Sequence, residues 1–366
     1  MSTTAATTEA PPAILIPSLP NDVALQCLAR VPRQYHPVLA AVSKPIRSLI
    51  SSPEFFAARS ALNCTEILPY LRIRNGDCQA EGWFTIYGRP NPNSDPDNII
   101  IAHIPGVVPD NDLDWSECAA VGPKIYVLGS RTHVWIFDCR FHTWERGPSM
   151  PTALRGITKT VILGTKIFVI RWPTEGTPWA DVFDTVAGQW EALPSVKFTA
   201  SHQMVGGCAV RGGKVCVWVA GEELRFDPET KAWEVLESGI GLGVHWGYQM
   251  CEVNGVLCCY DYHRGLIKCF DEITGVWKKL KFANKGLRGQ WQRIRMSNVG
   301  GSLVVLGSAV LRNMGRTMAI WYLEIEVKKD QDGDFRGEVL WSVMVHSTRM
   351  WSLHMMPIYT CTSVSL

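Results

Sequence analysis

Tyr262-His263 sets a phenol beside an imidazole, the ligand types a copper-dependent alcohol oxidase uses. Such a site needs Tyr, Cys and His gathered together. The nine His of this chain are scattered, so the pair reads as loop residues and not as a metal centre. Gly213-Lys214 looks like the end of a phosphate-cradling loop, but Cys208 stands where that loop needs Gly and Val215 where it needs Ser or Thr. There is no H-E-x-x-H, no G-x-S-x-G and no S-x-D-x-G-x-T-W box. None of the 12 Cys forms a C-x-x-C, the usual zinc framework; most, such as Cys208, Cys216, Cys258, Cys259 and Cys269, sit in apolar runs as small hydrophobes. The carboxylates that do recur are Asp138, Asp184, Asp227 and Asp271. A group repeated in every structural unit reads as scaffold, whereas a catalytic group stands once. The expectation is a chain with no catalytic residues, no metal and no cofactor.

Those four Asp belong to a repeat. Phe137-Asp138, Phe183-Asp184, Phe226-Asp227 and Phe270-Asp271 are spaced 46, 43 and 44 residues apart, and Trp144, Trp190, Trp233 and Trp277 each follow their Phe by seven residues. Each Phe ends an extended run (VWIFD, ADVFD, ELRFD, IKCFD). Asp then opens a tight turn by accepting backbone N–H groups two or three residues on. The chain reverses, and Trp lands on the next antiparallel strand, where it can fill the wedge between neighbouring sheets. A period near 44 residues holds four short strands, one propeller blade. A degenerate fifth blade is expected over 294–345. An incomplete one is expected near 68–104, its missing strand supplied by Trp351–Tyr359 to close the ring, since closure removes exposed sheet edges. The fold is therefore read as mainly β, a six-bladed propeller over 63–366.

Ahead of it, 1–16 reads as a disordered tail and 17–62 as helical. Val23, Cys27, Leu28 and Val31 share one face of a helix over Asn21–Val31, which Pro32 ends. A second helix is expected from about Tyr35 to Ser43. Ser52-Pro53-Glu54 is the start signature of a third, Glu54–Leu62.

In an antiparallel blade, the loops joining the second to the third strand and the connections to the next blade share one face of the disc. On this chain they carry Arg131, Arg155, Arg171, Trp172, His245, Trp246, Arg264, Arg288 and Trp291. Arg and Trp are favoured anchors of protein interfaces, so this rim is the candidate site for a protein segment, acidic or phosphorylated. The other reading is that these side chains plug the channel and pack the loops. With Lys+Arg 36 against Asp+Glu 34, no global field recruits nucleic acid or anionic lipid. No run of about 18 apolar residues occurs, so no membrane partner is expected. Met1–Pro12 has no basic residue and Ala13–Ile16 is too short for a signal core, so cytoplasmic or nuclear residence, or both, is expected.

The repeat resembles the kelch family of β-propellers. Strand ends such as VLGS (127–130) and CCYD (258–261) replace the family's double glycine. Pro17–Leu62 resembles an F-box through Leu19-Pro20-Asn21-Asp22, the helix face above, and Val42-Ser43-Lys44 with Arg47 and Leu49. Ile46 stands where that motif has Trp or Phe, and Pro45 threatens a break. The order of the two resembles the plant F-box/kelch-repeat family. That resemblance implies a substrate-recognition subunit of an SCF-type cullin–RING ubiquitin ligase. Its F-box would dock on a Skp-type adaptor, and so on a cullin, through Leu19, Pro20, Val23, Leu28, Val31 and Val42. Its propeller would hold an unknown substrate protein. An oxidase-like propeller enzyme and an interaction scaffold without ligase coupling remain the alternatives.

Overall fold

The computed structural model describes residues 14–74, 81–88, 99–104, 117–129, 131–154, 158–171, 179–196, 205–219, 222–237, 249–262, 264–282, 291–311, 317–349 and 358–366. Two compact units emerge, Met1–Glu66 with Leu366, and Ile67–Ser365.

The first unit is helical: α1 (Asn21–Ala29), a 3-10 turn (Arg33–Tyr35), α2 (His36–Val42), α3 (Lys44–Ile50) and α4 (Pro53–Ala61). Local chemistry sets the boundaries. Ser43 accepts the Ile46 N–H at the start of α3, and Ser52 accepts that of Phe55 at the start of α4, each at 3.3 Å. Pro45 and Pro53 lie in those first turns, where a missing N–H costs nothing. Pro45 therefore helps to start a helix, and the break falls at Ser43. Ala24, Leu28, Ala29, Ile46, Ile50, Phe55 and Phe56 form the small core. Through it runs Arg59, 1% exposed, whose Nη1 donates to the Ala29 and Val31 carbonyls (2.8 and 2.7 Å) and whose Nη2 donates to Glu66 Oε2 (2.8 Å). Glu66 also accepts the Arg33 N–H and exchanges both backbone hydrogen bonds with Leu366. These bonds carry the unit past the expected boundary at 62. Of the expected tail, 1–13 lies outside the described residues, and Leu15 is held by Asn21 Oδ1.

The second unit holds six sheets. In chain order its strands are β1 (Ile67–Arg74), β2 (Glu81–Tyr87) and β3 (Ile100–Ile104); β4 (Glu117–Val121), β5 (Lys124–Leu128), β6 (Val134–Asp138) and β7 (Thr143–Arg146); β8 (Lys159–Leu163), β9 (Lys166–Ile170), β10 (Ala180–Asp184) and β11 (Gln189–Ala192); β12 (Val205–Arg211), β13 (Lys214–Val219), β14 (Glu222–Asp227) and β15 (Ala232–Glu237); β16 (Met250–Val253), β17 (Val256–Asp261), β18 (Leu266–Asp271) and β19 (Val276–Lys279); then β20 (Lys281–Phe282), β21 (Gln292–Val299), β22 (Ser302–Leu311), β23 (Thr317–Lys329), β24 (Phe335–Arg349) and β25 (Ile358–Ser365). Five blades run inside to outside in sequence order. The remaining sheet is ordered β25-β1-β2-β3, so the chain's last strand becomes the innermost strand of the first blade. This is a six-bladed β-propeller, and β20 adds a short parallel strand to the outer edge of its last blade.

The C-terminal run closes the ring as expected, and the closing strand is Ile358–Ser365; of the expected Trp351–Tyr359, Ile358 and Tyr359 lie on it and 351–357 lies outside the described residues. The closing strand pairs antiparallel with β1 from Ile67↔Ser365 to Ile73↔Ile358, and Cys361 and Thr362 line the channel wall.

The repeat markers do what their spacing implies. Each Phe is the direct cross-strand partner of its Trp: Phe137–Trp144, Phe183–Trp190, Phe226–Trp233 and Phe270–Trp277. Their ring centroids lie 4.7, 4.8, 5.1 and 5.3 Å apart. Trp144 meets Trp83 of the preceding blade and Trp233 meets Trp179, so the indoles close the seams between blades. Asp184 Oδ1 accepts the Val186 and Ala187 N–H groups at 2.9 and 3.0 Å, and Asp138, Asp227 and Asp271 act likewise. The fifth residue after each Phe (His142, Gly188, Lys231, Gly275) has a positive φ of 53–69°, the left-handed step that returns the chain to the outer strand.

Candidate functional site

Each unit carries a candidate surface. In the helical unit the expected face of α1 divides. Leu28 points into the core at 6% exposure and Val31 is half-buried, while Val23 and Leu19 are both 39% exposed and Pro20 is exposed. Leu28 is therefore a core residue, because α1 packs through Ala24, Leu28 and Ala29, and the stripe through Val23 and Cys27 is turned outward. Val42 is 66% exposed, and one turn before it Val38 is equally open at 64%, with Tyr35 exposed ahead of them. Val38 and Tyr35 were not among the expected contacts. The i, i+4 spacing of Val38 and Val42 on a seven-residue helix was the available signal.

In the propeller, the innermost strands β25, β4, β8, β12, β16 and β21 surround a channel cavity of about 180 Å³. Glu117, Lys159, Arg295 and Gln249 line it, with Thr160, Ser297 and Thr362. With its amide oxygen turned to the donors, Gln249 accepts from Arg295 Nη1 at 3.0 Å and from Lys159 Nζ at 3.2 Å. Burial raises the proton affinity of the Glu117 carboxyl, opposed by Lys159 and Arg295. Burial likewise makes the Lys159 ammonium easier to deprotonate, opposed by Glu117 and reinforced by Arg295. Cys208 and Cys361 in the same wall are pushed up to about 12 by burial, so they are inert thiols at neutral pH. Among the described residues no three His, Cys, Asp or Glu come together as a metal site. None of the channel charges carries a sequence signal, for they stand one to a blade and meet only when the ring closes.

Residues 83–346 match the model of the FKB95 Kelch-repeats domain, and residues 16–57 match that of the F-box domain. The chain belongs to the F-box/kelch-repeat family. Among its relatives from Arabidopsis thaliana, F-box/kelch-repeat protein At4g39590 is 32% identical over 89% of this chain and 85% of its own length. F-box/kelch-repeat protein At4g39550 is 30% identical over 89% and 88%, and Putative F-box/kelch-repeat protein At4g39290 is 30% identical over 90% and 92%.

On the rim of this F-box/kelch-repeat protein, Arg131 and Arg264 are exposed in the β5–β6 and β17–β18 loops. Arg171 is not a rim group. It is 3% exposed, and its Nη2 is held by Asp181 Oδ2 at 2.5 Å and by the Thr152 carbonyl at 3.3 Å. The cause is Asp181, fully buried on β10, which needs a cation beside it. Trp291 is half-buried with its six-membered ring close against Gly307 of β22, and it packs on an apolar cluster shared by the last two blades. Tyr262 donates its hydroxyl to the Ile294 carbonyl at 3.0 Å. Arg155, Trp172, His245, Trp246, Arg288 and His263 lie outside the described residues.

Proposed function

We propose that this chain is the substrate-recognition subunit of an SCF-type cullin–RING ubiquitin ligase, working in the cytoplasm, the nucleus or both. F-box domains typically bind Skp-type adaptors, and an F-box joined to kelch repeats is an adaptor-type architecture. The observation that carries the reading is the outward apolar set Leu19, Pro20, Val23, Val38 and Val42 on a helical unit matched as an F-box. Apolar side chains left in water on so small a unit gain by burial against a partner, at about 25 cal/mol per Å². The propeller supplies the second partner surface, the face bearing Arg131 and Arg264, for a target protein. The receptor forms no bond itself. It raises the local concentration of the target beside the ubiquitin-loaded enzyme.

Full-length protein carrying Val23→Asp with Val42→Asp tests this reading, since both side chains are exposed and their loss leaves the core intact. Wild type should co-purify with a Skp-type adaptor and cullin, and the double variant should lose at least tenfold of that recovery while its circular dichroism is unchanged. Undiminished recovery by the variant, or no recovery by wild type, refutes adaptor docking through this face.

A further inference from the structure

We infer that the propeller channel is a binding site for an oxyanion, a carboxylate or phosphate group, held between Lys159 and Arg295. The two cations come from different blades, on β8 and β21, and converge on one neutral acceptor, the Gln249 carbonyl oxygen. Sharing that atom brings them within about 6 Å of each other, where like charges repel. Among the described lining residues the one carboxylate, Glu117, stands against two cations, Lys159 and Arg295. The described lining thus carries two basic groups to one acidic group, and the oxygen the two basic groups share is a neutral amide carbonyl. An oxyanion in the same place accepts charge-assisted hydrogen bonds from both groups and removes their repulsion. Thr160, Ser297 and Thr362 add hydroxyl groups to the same lining. The volume, about 180 Å³, holds roughly six waters, enough for a phosphate ion or the end of an acidic side chain.

Topology places the site as well. Glu117 and Lys159 begin their strands, and Gln249 directly precedes β16. Innermost strands begin on the face that carries the β5–β6 and β17–β18 loops, so the charged end of the channel lies toward Arg131 and Arg264. The oxyanion has two possible sources, a free small anion or an acidic side chain of a protein held on that face.

The test titrates full-length protein at constant ionic strength with inorganic phosphate, succinate and a glutamate-rich decapeptide, read by calorimetry and by thermal shift of tryptophan fluorescence. Saturable binding is expected, at least tenfold weaker in Lys159→Met and unchanged in Lys279→Gln, an exposed lysine on the outer strand β19. Tighter binding of the decapeptide than of succinate assigns the source to a protein side chain. Equal or weaker binding assigns it to a free anion. Gln249→Glu guards against a variant that fails to fold, for it places a resident carboxylate between the two cations. It should raise the melting temperature by a few degrees and abolish binding of all three probes. Absence of saturable binding to any probe, or a Gln249→Glu protein that is less stable or still binds, overturns the inference. No outcome depends on the adaptor, so the site stands or falls apart from the ligase reading.

Discussion

His36 makes the helical unit acid-labile in a way that can be calculated. The imidazole is buried at the start of α2, edge-on to Phe55 with ring centroids 5.2 Å apart. Arg33 Nη1 lies 3.2 Å from its Nδ1, and the Val31 carbonyl lies 3.2 Å from its Nε2. A guanidinium only donates and a carbonyl only accepts, so the ring is the neutral Nε2–H tautomer. A second proton, on Nδ1, would face the Arg33 guanidinium. Burial first, then Arg33 and Arg59, lower the His36 pKa from 6.5 to about 4, against the opposing bond to Val31. The unfolded chain binds this proton below pH 6.5 and the folded unit only near pH 4, so stability falls as pH drops between those values. The loss is about 2 kcal/mol at pH 5 and about 3 kcal/mol once both states are protonated. The two units can be followed separately, because all 15 Trp and every other His lie beyond residue 66. Urea unfolding of the full chain should show the 222 nm helical transition moving to lower urea between pH 7 and pH 5. Tryptophan fluorescence should be followed alongside it. His36→Gln keeps a donor and an acceptor without a titrating group, and its helical transition should be insensitive to pH over that range. Equal pH dependence in wild type and His36→Gln, or none in wild type, would refute the reasoning.

Two further outcomes follow from buried groups. Arg59→Met leaves the Ala29 and Val31 carbonyls and the Glu66 carboxylate without their shared donor, and should cost the helical unit about 3–5 kcal/mol, seen as early loss of the 222 nm transition with the propeller's fluorescence transition retained. Gly307→Ala would set a Cβ 2.1 Å from Cε3 of Trp291, and the displaced indole should cost the propeller about 1–3 kcal/mol with a red-shifted emission; an unchanged melting temperature and spectrum would show that Trp291 does not pack there.

The parts legible from residues alone are those whose physics is local. Asp184 and Asp271 close turns on N–H groups a few residues away, and Ser52 caps α4 three residues on, so spacing along the chain is enough to read them. The Phe–Trp offset of seven implied a cross-strand pair, and the register contains it four times over. The candidate sites were legible only in part. Leu28 and Val23 have the same apolar chemistry on the same helix, and nothing local distinguishes the one that α4 and its neighbours cover from the one left open. Arg171 reads as a loop arginine until Asp181, ten residues on and across a hairpin, is seen to hold it.

By itself, then, the sequence determined the blade: its period, its turns, its aromatic seam and the helices ahead of it, since each depends on groups within a few residues of one another. Tertiary structure alone decided the register in which the C-terminal run, Ile358–Ser365, closes the ring, that Arg171 turns inward, and that Lys159, Gln249 and Arg295 share one cavity. The physical reason is ring closure. Which side chains face the axis is set by strands that pair or pack across hundreds of residues, and charges placed one to a blade acquire a common environment only when the last strand meets the first.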